Sequence, residues 1–381
     1  MNLLQTLLKT NVEASASQWR DLSGDLPASD AQLVLVFGLR AQLSSPGLFG
    51  AVRGRFPEAN IVFVSTAGSF ADTQIEDSSL VCTALRFKRA TLRAASANLT
   101  MSDDLGALCN SLATQLHAPD LRHVLVFSDG GLVNGTTLSE SFNASLPSGV
   151  TLSGGLAGDG TDFIQTLVGL DCVPTPGGIV AIGLYGPSLR LGFGTAGGWS
   201  AFGPLRTVTA SVGNVLHTLD DRPALALYKE YLGPEADGLP GAALRFPLHI
   251  QLPGQPNGVV RTILSVDETQ QTMTFAGDVP LGATARLMRA SYEEIIQGAE
   301  IAAQQAALDS SLVLCVSCVG RRIVLGQRIE EELECVRTIF GAGPVLTGFY
   351  SYGELAPSGQ VQDCQLHNQT MTITSFGENS D

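Results

Sequence analysis

The chain is poor in charged residues and poorest in basic ones. Charged residues make up 15% of its 381 positions, and 22 Lys and Arg stand against 36 Asp and Glu, for a formal net charge of −14. Nucleic acids and anionic membrane surfaces both attract clustered Lys and Arg. The composition therefore disfavours both kinds of partner, while 44% apolar residues indicate a well-packed globular protein.

Long apolar runs are also missing. No stretch reaches the ~18 uninterrupted apolar residues of a membrane-spanning helix, and the apolar patch in the first residues, MNLLQTLLKT, is too short for a secretory signal. The seven cysteines are odd in number and scattered, which is typical of a reducing compartment. We therefore expect a soluble cytoplasmic protein whose residues 1–29 form an N-terminal helical segment.

One structural pattern occurs three times along the chain. The run Val-Leu-Val-Phe at 34–37 recurs at 124–127, and Ala67-Gly68 recurs as Ala157-Gly158; both offsets (124 − 34 and 157 − 67) are 90 residues. Each copy predicts a buried strand, a helix, a second strand that ends in small residues and a third strand, and in the first two copies the third strand leads toward a hairpin partner. A looser third copy lies within residues 312–376.

Between the second and third copies the pattern changes. Residues 246–290 alternate in polarity and contain Pro-Gly and Asn-Gly turns, which predicts antiparallel strands. A helix that follows Pro223 and stops at Gly233 is the candidate domain boundary. The fold class predicted is α/β, with two domains of repeated β-α-β-β units whose mixed sheets are covered by helices: residues 30–234, with two repeats, and residues 235–381.

The stretch GGLAGDG at 154–160 has the glycine density of a phosphate-binding loop. A phosphate loop needs a lysine that reaches the phosphates, and a dinucleotide loop needs a helix directly after the glycines; neither is present. The alternative is structural, with glycines that admit packed neighbours and tight turns. Because ligands often bind beyond strand ends, the three strand tips and the tyrosines of the third copy are expected to enclose one cavity.

As a set, five segments resemble the FIST proteins, which pair a FIST N with a FIST C domain. They are GGLAGDG, residues 197–233, SCVGR at 317–321, GFYSYGE at 348–354 and LHNQT at 366–370. The resemblance implies a non-catalytic bacterial sensor that binds a small ligand. One branch of the family binds haem, senses nitric oxide and regulates a histidine kinase of a two-component system. Because no output segment is recognisable in this sequence, a separate kinase or other signalling protein is the expected partner, and a homodimer is left open.

The ligand-binding residues expected from sequence lie at the strand tips. Because side chains alternate along a strand, Tyr350 and Tyr352 are expected on the same face. Together with Asp159 and Arg321 they would suit a zwitterion such as an amino acid. The full set of candidates is Gly158, Asp159, Gly160, Arg321, Tyr350, Tyr352, Glu354 and His367.

A haem needs an axial ligand in an apolar cavity, and His249 and His217 are each flanked by aliphatic residues. Each of them is also compatible with a simple role in the core. His249 is preferred because it opens the second domain. Haem and an amino acid or other metabolite therefore remain alternative ligands, and a scaffold without a ligand is a third possibility.

The cysteines suggest two further kinds of chemistry. Cys315 and Cys318 have the spacing of a zinc site, but strand residues three apart point to opposite faces. Cys318 as nucleophile, with His367 as base and Glu354 or Asp159 orienting it, would make a hydrolase or transferase. The apolar surroundings of Cys318 argue against a reactive thiol.

Overall fold

The structure is a computed structural model that describes residues 1–9, 18–100, 104–251, 258–357 and 363–379. The described residues form 27 β-strands, eight α-helices and four short 3₁₀ helices. The strands are β1 (Asn2–Lys9), β2 (Gln18–Gly24), β3 (Leu33–Gly38), β4 (Asn60–Ser65), β5 (Ser69–Ala71), β6 (Gln74–Ile75), β7 (Leu80–Arg86), β8 (Thr91–Asn98), β9 (Leu121–Ser128), β10 (Thr151–Leu156), β11 (Val168–Leu170), β12 (Gly178–Tyr185), β13 (Leu189–Ala196), β14 (Ser200–Ala201), β15 (Arg206–Val212), β16 (Val215–Leu219), β17 (Arg222–Pro223), β18 (Leu248–Gln251), β19 (Val259–Arg261), β20 (Ile263–Asp267), β21 (Thr272–Phe275), β22 (Thr284–Arg289), β23 (Leu312–Cys318), β24 (Val345–Ser351), β25 (Gly353–Pro357), β26 (Cys364–His367) and β27 (Met371–Glu378). The α-helices are α1 (Arg40–Leu43), α2 (Leu48–Arg55), α3 (Leu105–Leu116), α4 (Gly135–Ser145), α5 (Ala224–Leu232), α6 (Tyr292–Ala306), α7 (Val319–Leu325) and α8 (Glu330–Phe340), and the 3₁₀ helices are Ala28–Asp30, Gly233–Gly238, Gly241–Arg245 and Gly326–Arg328.

The three sequence repeats are three copies of one structural unit. In each unit the first strand is parallel to the second and antiparallel to the third, and a helix connects the first two. These units are β3-α2-β4-β7, β9-α4-β10-β12 and β23-α8-β24-β27. The predicted α/β class, with repeated units, mixed sheets and covering helices, is confirmed.

The strands that follow the first two units do not form the hairpins predicted from the sequence. β8 follows β7 but pairs with β12 of the second unit, and β13 follows β12 but pairs with β27 of the third. β5, β11 and β25 likewise pair with the second strand of a neighbouring unit. Each sheet therefore contains strands from more than one unit, in the orders β11-β4-β3-β7-β1-β2, β26-β25-β10-β9-β12-β8 and β6-β5-β24-β23-β27-β13.

The N-terminal segment corrects a second prediction, because residues 2–9 form a strand and not a helix. Leu3 and Leu7 point into the core that the three sheets share, whereas Leu4 and Leu8 lie in the apolar layer under α2. A strand with both faces buried is rich in leucine throughout, and this imitates a helical repeat. β1 pairs antiparallel with β7, as β8 pairs with β12 and β13 with β27, so it holds the corresponding place in the first sheet.

The inner faces of the three sheets pack around one apolar core. Phe37, Phe127 and Phe349, one from each unit, bring their ring centroids within 4.8–6.0 Å of one another. The outer face of the first sheet is covered by α2, that of the second by α3 and α4, and that of the third by α6, α7 and α8. The three sheets thus form one body with approximate threefold repetition.

A nine-stranded antiparallel sheet, assembled from β14 to β22, forms a second layer beside this body. Helix α5 packs on its apolar face, after Pro223 and before Gly233 as predicted. The expected domain boundary at 234/235 cuts through this layer, because β15, β16 and α5 precede it and β18 to β22 follow it. The boundary therefore does not separate the two structural bodies. None of the helices in the described ranges is long and apolar enough to cross a membrane.

Candidate functional site

The three strand tips converge, as the repeats predict. Three main-chain hydrogen bonds link the units in a ring: Gly158 N to Ser65 O at 2.9 Å, Ala67 N to Tyr350 O at 2.8 Å and Tyr352 N to Leu156 O at 3.2 Å. A Cβ added to Gly158 would lie 3.0 Å from Ala67 N and 3.3 Å from the Tyr352 ring. Among the described residues, direct contact thus fills the place where a shared cavity was expected.

Asp159 folds the loop that follows the second-unit tip. Its carboxylate accepts hydrogen bonds from the main-chain N–H groups of Phe163, Ile164 and Gln165 at 2.9–3.1 Å. The Tyr352 hydroxyl donates to the same carboxylate and lies 3.2 Å from Gly160 O. Burial and this carboxylate raise the pKa of Tyr352. Gly158, Asp159, Gly160 and Tyr352 therefore do come together, in a satisfied structural contact.

The glycines that precede this loop have packing roles. Gly154 has φ +143°, and a Cβ there would lie 1.8 Å from Val126 O. At Gly155 a Cβ would meet a methyl group of Val316 at 2.6 Å. The second strand of this unit therefore lies too close to its neighbours to carry side chains at these two positions.

Arg321 and Tyr350 belong to a separate buried network. The Arg321 guanidinium and the Glu332 carboxylate are both fully buried, 2.9 Å apart. Tyr350 Oη donates to Glu332 at 2.8 Å, and Ser317 Oγ donates to it at 3.2 Å. Arg321 also donates to the main-chain oxygens of Gly197 and Ile295. Arg321 is thus engaged under α6, and its partners do not include Asp159.

Glu354 and His367 lie at the junction between the third unit and the second sheet. They are cross-strand partners on β25 and β26, but the carboxyl group of Glu354 accepts from Ser351 Oγ at 2.6 Å and Thr370 Oγ1 at 2.9 Å. His367 Nε2 lies 3.2 Å from Ala356 O. Burial lowers the pKa of His367 to about 4. Its ring is therefore neutral at neutral pH.

Cys318, the alternative nucleophile, is fully buried where β23 enters α7. Burial raises the pKa of its thiol well above the ordinary range, and the nearby Glu354 raises it further. Among the described residues no hydrogen bond joins it to His367, whose Nε2 lies beside Ala356 O. The arrangement therefore does not supply a thiolate with a base beside it.

The two candidate haem ligands lie in the antiparallel layer. His249 on β18 is half-buried, and burial lowers its pKa. Gly258 covers its ring so closely that an added Cβ would lie 2.4 Å from Nε2. His217 is half-buried on β16. Both residues thus lie on strands of the antiparallel sheet, and neither is fully buried.

One hollow in the antiparallel layer was not foreseen from the sequence. It is a cavity of about 60 Å³ under α5, between this helix and the paired strands β15, β18 and β22. Its apolar walls include Phe202, Leu219, Leu248, Ala285 and Leu287, and Tyr228, Tyr231 and Arg206 lie beside it. Arg286, the cross-strand partner of His249, directs its side chain to the opposite face of β22. The signal available in the sequence was the pair Tyr228 and Tyr231, three residues apart on one face of α5.

The polar groups around the cavity are held by specific bonds. The buried Tyr228 donates to Phe246 O at 2.8 Å, and burial raises its pKa. Arg206 Nε donates to Tyr231 Oη at 2.8 Å, and its Nη1 donates to Asp220 at 3.0 Å. Apolar walls with a few fixed polar groups are features that ligand sites share, although this hollow is smaller than the usual pocket of about 300–1,000 Å³.

Two family models account for most of the chain. The model of the FIST N domain matches residues 32–222, and that of the FIST C domain matches residues 224–357. The chain belongs to the FIST family. FIST domains are sensory domains of signal transduction, so the sensor class expected from the sequence is supported at the family level.

Curated relatives add similarity without a function. Uncharacterized proteins from two strains of Mycobacterium tuberculosis are each 25% identical to this FIST protein over 283 residues, which cover 71% of this chain and 72% of the relative. Residues from both family matches line the cavity. Those from Phe202 to Leu219 belong to the FIST N match, and those from Tyr228 to Leu287 belong to the FIST C match. The two matches therefore meet inside the antiparallel layer.

Proposed function

We propose that this FIST protein is a non-catalytic sensor that binds a small molecule in the cavity under α5 and signals to a separate protein. The cavity is the observation that carries the proposal, because its apolar walls border a hollow beside which Tyr228, Tyr231 and Arg206 are held by hydrogen bonds. The strand tips, by comparison, are occupied by their own hydrogen bonds.

The contacts supply a route from the cavity to the three-sheet body. Leu248 lines the cavity and is the cross-strand partner of Arg261 on β19. The buried Arg261 guanidinium donates to Leu366 O, at the edge of the second sheet, at 3.1 Å and lies 3.5 Å from Thr136 Oγ1 on α4. A ligand that shifts Leu248 would therefore change how the antiparallel layer contacts the body, and a partner could read this change.

The resemblance also implies a more specific hypothesis, in which the protein binds haem and senses nitric oxide. The geometry supports this hypothesis less than it supports the binding of a small metabolite. Neither His249 nor His217 belongs to the described lining of the cavity. The volume of about 60 Å³ would also have to expand greatly to admit a porphyrin. The residues present do not fit a haem, so we propose an organic metabolite as the ligand. A histidine kinase as partner and a homodimeric state stay predictions.

The proposal is tested with purified protein and a variant that fills the cavity. The thermal midpoint is measured with a panel of amino acids and short carboxylic acids, for the wild type, Ala285→Leu and the control Ala41→Leu at an exposed position on α1. We expect at least one compound to raise the midpoint of the wild type and the control, and not that of Ala285→Leu.

Two results would contradict the proposal. One is stabilisation by the same compounds in all three proteins, which would place binding elsewhere. The other is a haem absorption band that appears on addition of haemin, shifts with nitric oxide and is lost in His249→Ala or His217→Ala. That result would transfer the assignment to haem.

A further inference from the structure

We infer that the ligand of the cavity under α5 is a small uncharged molecule, mostly hydrocarbon, with one hydrogen-bond acceptor, of the class of short-chain ketones. Tyr231 donates the hydrogen bond that holds this acceptor. The inference rests on the proposed function and names the ligand class of the same site.

The surface of the cavity is almost wholly apolar. On β22 the side chains of Ala285 and Leu287 line it, and Leu248, opposite Leu287 on β18, continues the same wall. Arg286 points to the other face of the strand with its partner His249, because side chains alternate along a strand. A ligand therefore gains mainly from the transfer of its hydrocarbon part out of water.

Arg206, a charged side chain beside the cavity, already has a counter-ion. Its Nη1 donates to the carboxylate of Asp220 at 3.0 Å, and that carboxylate also accepts from Thr207 N at 2.8 Å. An anionic ligand would compete with Asp220 for the guanidinium, and a cationic ligand would meet a carboxylate that is already bonded. Either charge would lose its hydration without gaining a partner, so an uncharged ligand is favoured.

The Tyr231 hydroxyl group keeps its hydrogen for the ligand. Its oxygen accepts from two N–H groups of Arg206, Nε at 2.8 Å and Nη2. A hydroxyl group has two lone pairs and one hydrogen, so both acceptor positions are filled and the hydrogen is directed away from Arg206. Among the described residues this hydrogen has no acceptor, whereas Tyr228 donates its own hydrogen to Phe246 O at 2.8 Å. Tyr231 therefore offers one donor, which its contacts with a charged group strengthen.

The volume of the cavity limits the length of the ligand. A water-sized group takes about 10–15 Å³ of such a volume, so about 60 Å³ admits about four to six non-hydrogen atoms. A ketone of about three to five carbons has this size. Its oxygen accepts a hydrogen bond and brings no donor that the apolar walls would leave unpaired.

The same reasoning predicts how acids behave at this site. A short carboxylic acid can enter in its protonated form, whereas an amino acid carries charge at every pH. Of the panel of amino acids and short carboxylic acids, the acids should therefore stabilise the protein. Their effect should increase as the pH falls toward the carboxyl range of about 4.

Three compounds of similar shape separate charge from hydrogen bonding. Butanone is neutral and has an acceptor, its methylene analogue is an alkene without an acceptor, and propionate replaces one methyl group of butanone by an anionic oxygen. Affinity is obtained at neutral pH from the rise of the thermal midpoint with ligand concentration, in sealed cells. The proteins are the wild type, Tyr231→Phe, Ala285→Leu and the control Tyr292→Phe, whose tyrosine is exposed on α6.

We expect butanone and its methylene analogue to stabilise the wild type. Propionate should bind at least about tenfold more weakly than butanone, because the anion loses its hydration without a new partner. Tyr231→Phe should weaken butanone about two- to tenfold, the contribution of one hydrogen bond, and should leave the methylene analogue nearly unchanged. Tyr292→Phe should change neither, and Ala285→Leu should abolish the binding of both.

Each failure has its own meaning. Propionate binding as tight as that of butanone, or no binding of butanone, overturns the uncharged ligand class. An equal change, or none, in butanone and its methylene analogue on Tyr231→Phe overturns Tyr231 as the donor, and this comparison does not depend on Ala285→Leu. The cavity stays the proposed site as long as some compound of any class stabilises the wild type and not Ala285→Leu. Butanone binding that survives Ala285→Leu overturns both the ligand class and the site.

Discussion

Replacement of Glu354 by Gln is expected to change how the stability of the protein depends on pH. Glu354 is completely buried, and burial raises its pKa from 4.5 to about 8, against hydrogen bonds from Ser351 and Thr370 that lower it. The folded protein therefore holds this proton more tightly than the unfolded chain does. The resulting stabilisation is complete below about pH 4.5 and is lost as the pH rises to about 8.

The size of the effect follows from these two pKa values. At ~1.4 kcal/mol per pH unit, the difference between 4.5 and about 8 corresponds to about 5 kcal/mol in the free energy of unfolding. Glutamine has the same shape and does not titrate. The glutamine oxygen can accept from Thr370, and the glutamine amide group can donate to Ser351 Oγ. The Ser351 hydroxyl can then donate to Ser317 O, which lies 3.3 Å away.

The assay is urea denaturation of the wild type and Glu354→Gln from about pH 5 to about pH 9. The wild type should lose stability relative to the variant as the pH rises, so that the variant becomes the more stable protein at the alkaline end. Glu334→Gln, at an exposed position on α8, controls for the loss of a charge. Parallel curves for the wild type and Glu354→Gln would refute the reasoning.

Two further substitutions test the packing of the body. Arg321→Met leaves the Glu332 carboxylate buried without its partner and should lower the free energy of unfolding, measured by urea denaturation, by ~3–5 kcal/mol. The double variant Arg321→Met/Glu332→Gln should recover part of this loss. An equal loss in the single and double variants would count against a buried ion pair. Gly154→Ala places a methyl group 1.8 Å from Val126 O and should cost ~2 kcal/mol or more. The control is Gly149→Ala, where φ is +86° but no atom lies within 4 Å of the added methyl group, and it should cost only ~1 kcal/mol. Equal thermal midpoints for these two variants would disprove the close approach of Gly154 to Val126 O.

Much of the local structure could be predicted because it depends on residues close in sequence. The repeated units lie where the sequence alternates between apolar strand-like runs and helical stretches. Such apolar runs are buried regardless of which segment packs against them. Helix α6 begins at a capping box of Ser291 and Glu294, a pattern legible in the sequence, and α5 lies between Pro223 and Gly233 as predicted. These signals act within one turn of chain and need no partner from elsewhere.

The candidate site could be predicted only in part. The convergence of the strand tips follows from the repetition of the units, but whether converging tips leave a hollow depends on side chains from different units. Here Tyr352 turns to Asp159 of the second unit, and Arg321 turns inward to Glu332. Each residue type suggested a ligand, and in each case a buried protein partner satisfies the polar group instead.

The amino-acid sequence by itself determined the three repeated units, their strand and helix types and the membership of the FIST family, because periodicity, capping and motif spacing are local properties of a chain. Only the tertiary structure decided which sheet each following strand would join, that Leu3 and Leu4 would be buried on opposite faces of a strand, and that a cavity would open under α5. The physical reason is that pairing edges and cavities are made by surfaces from distant segments, whose fit depends on the shape of the assembled molecule.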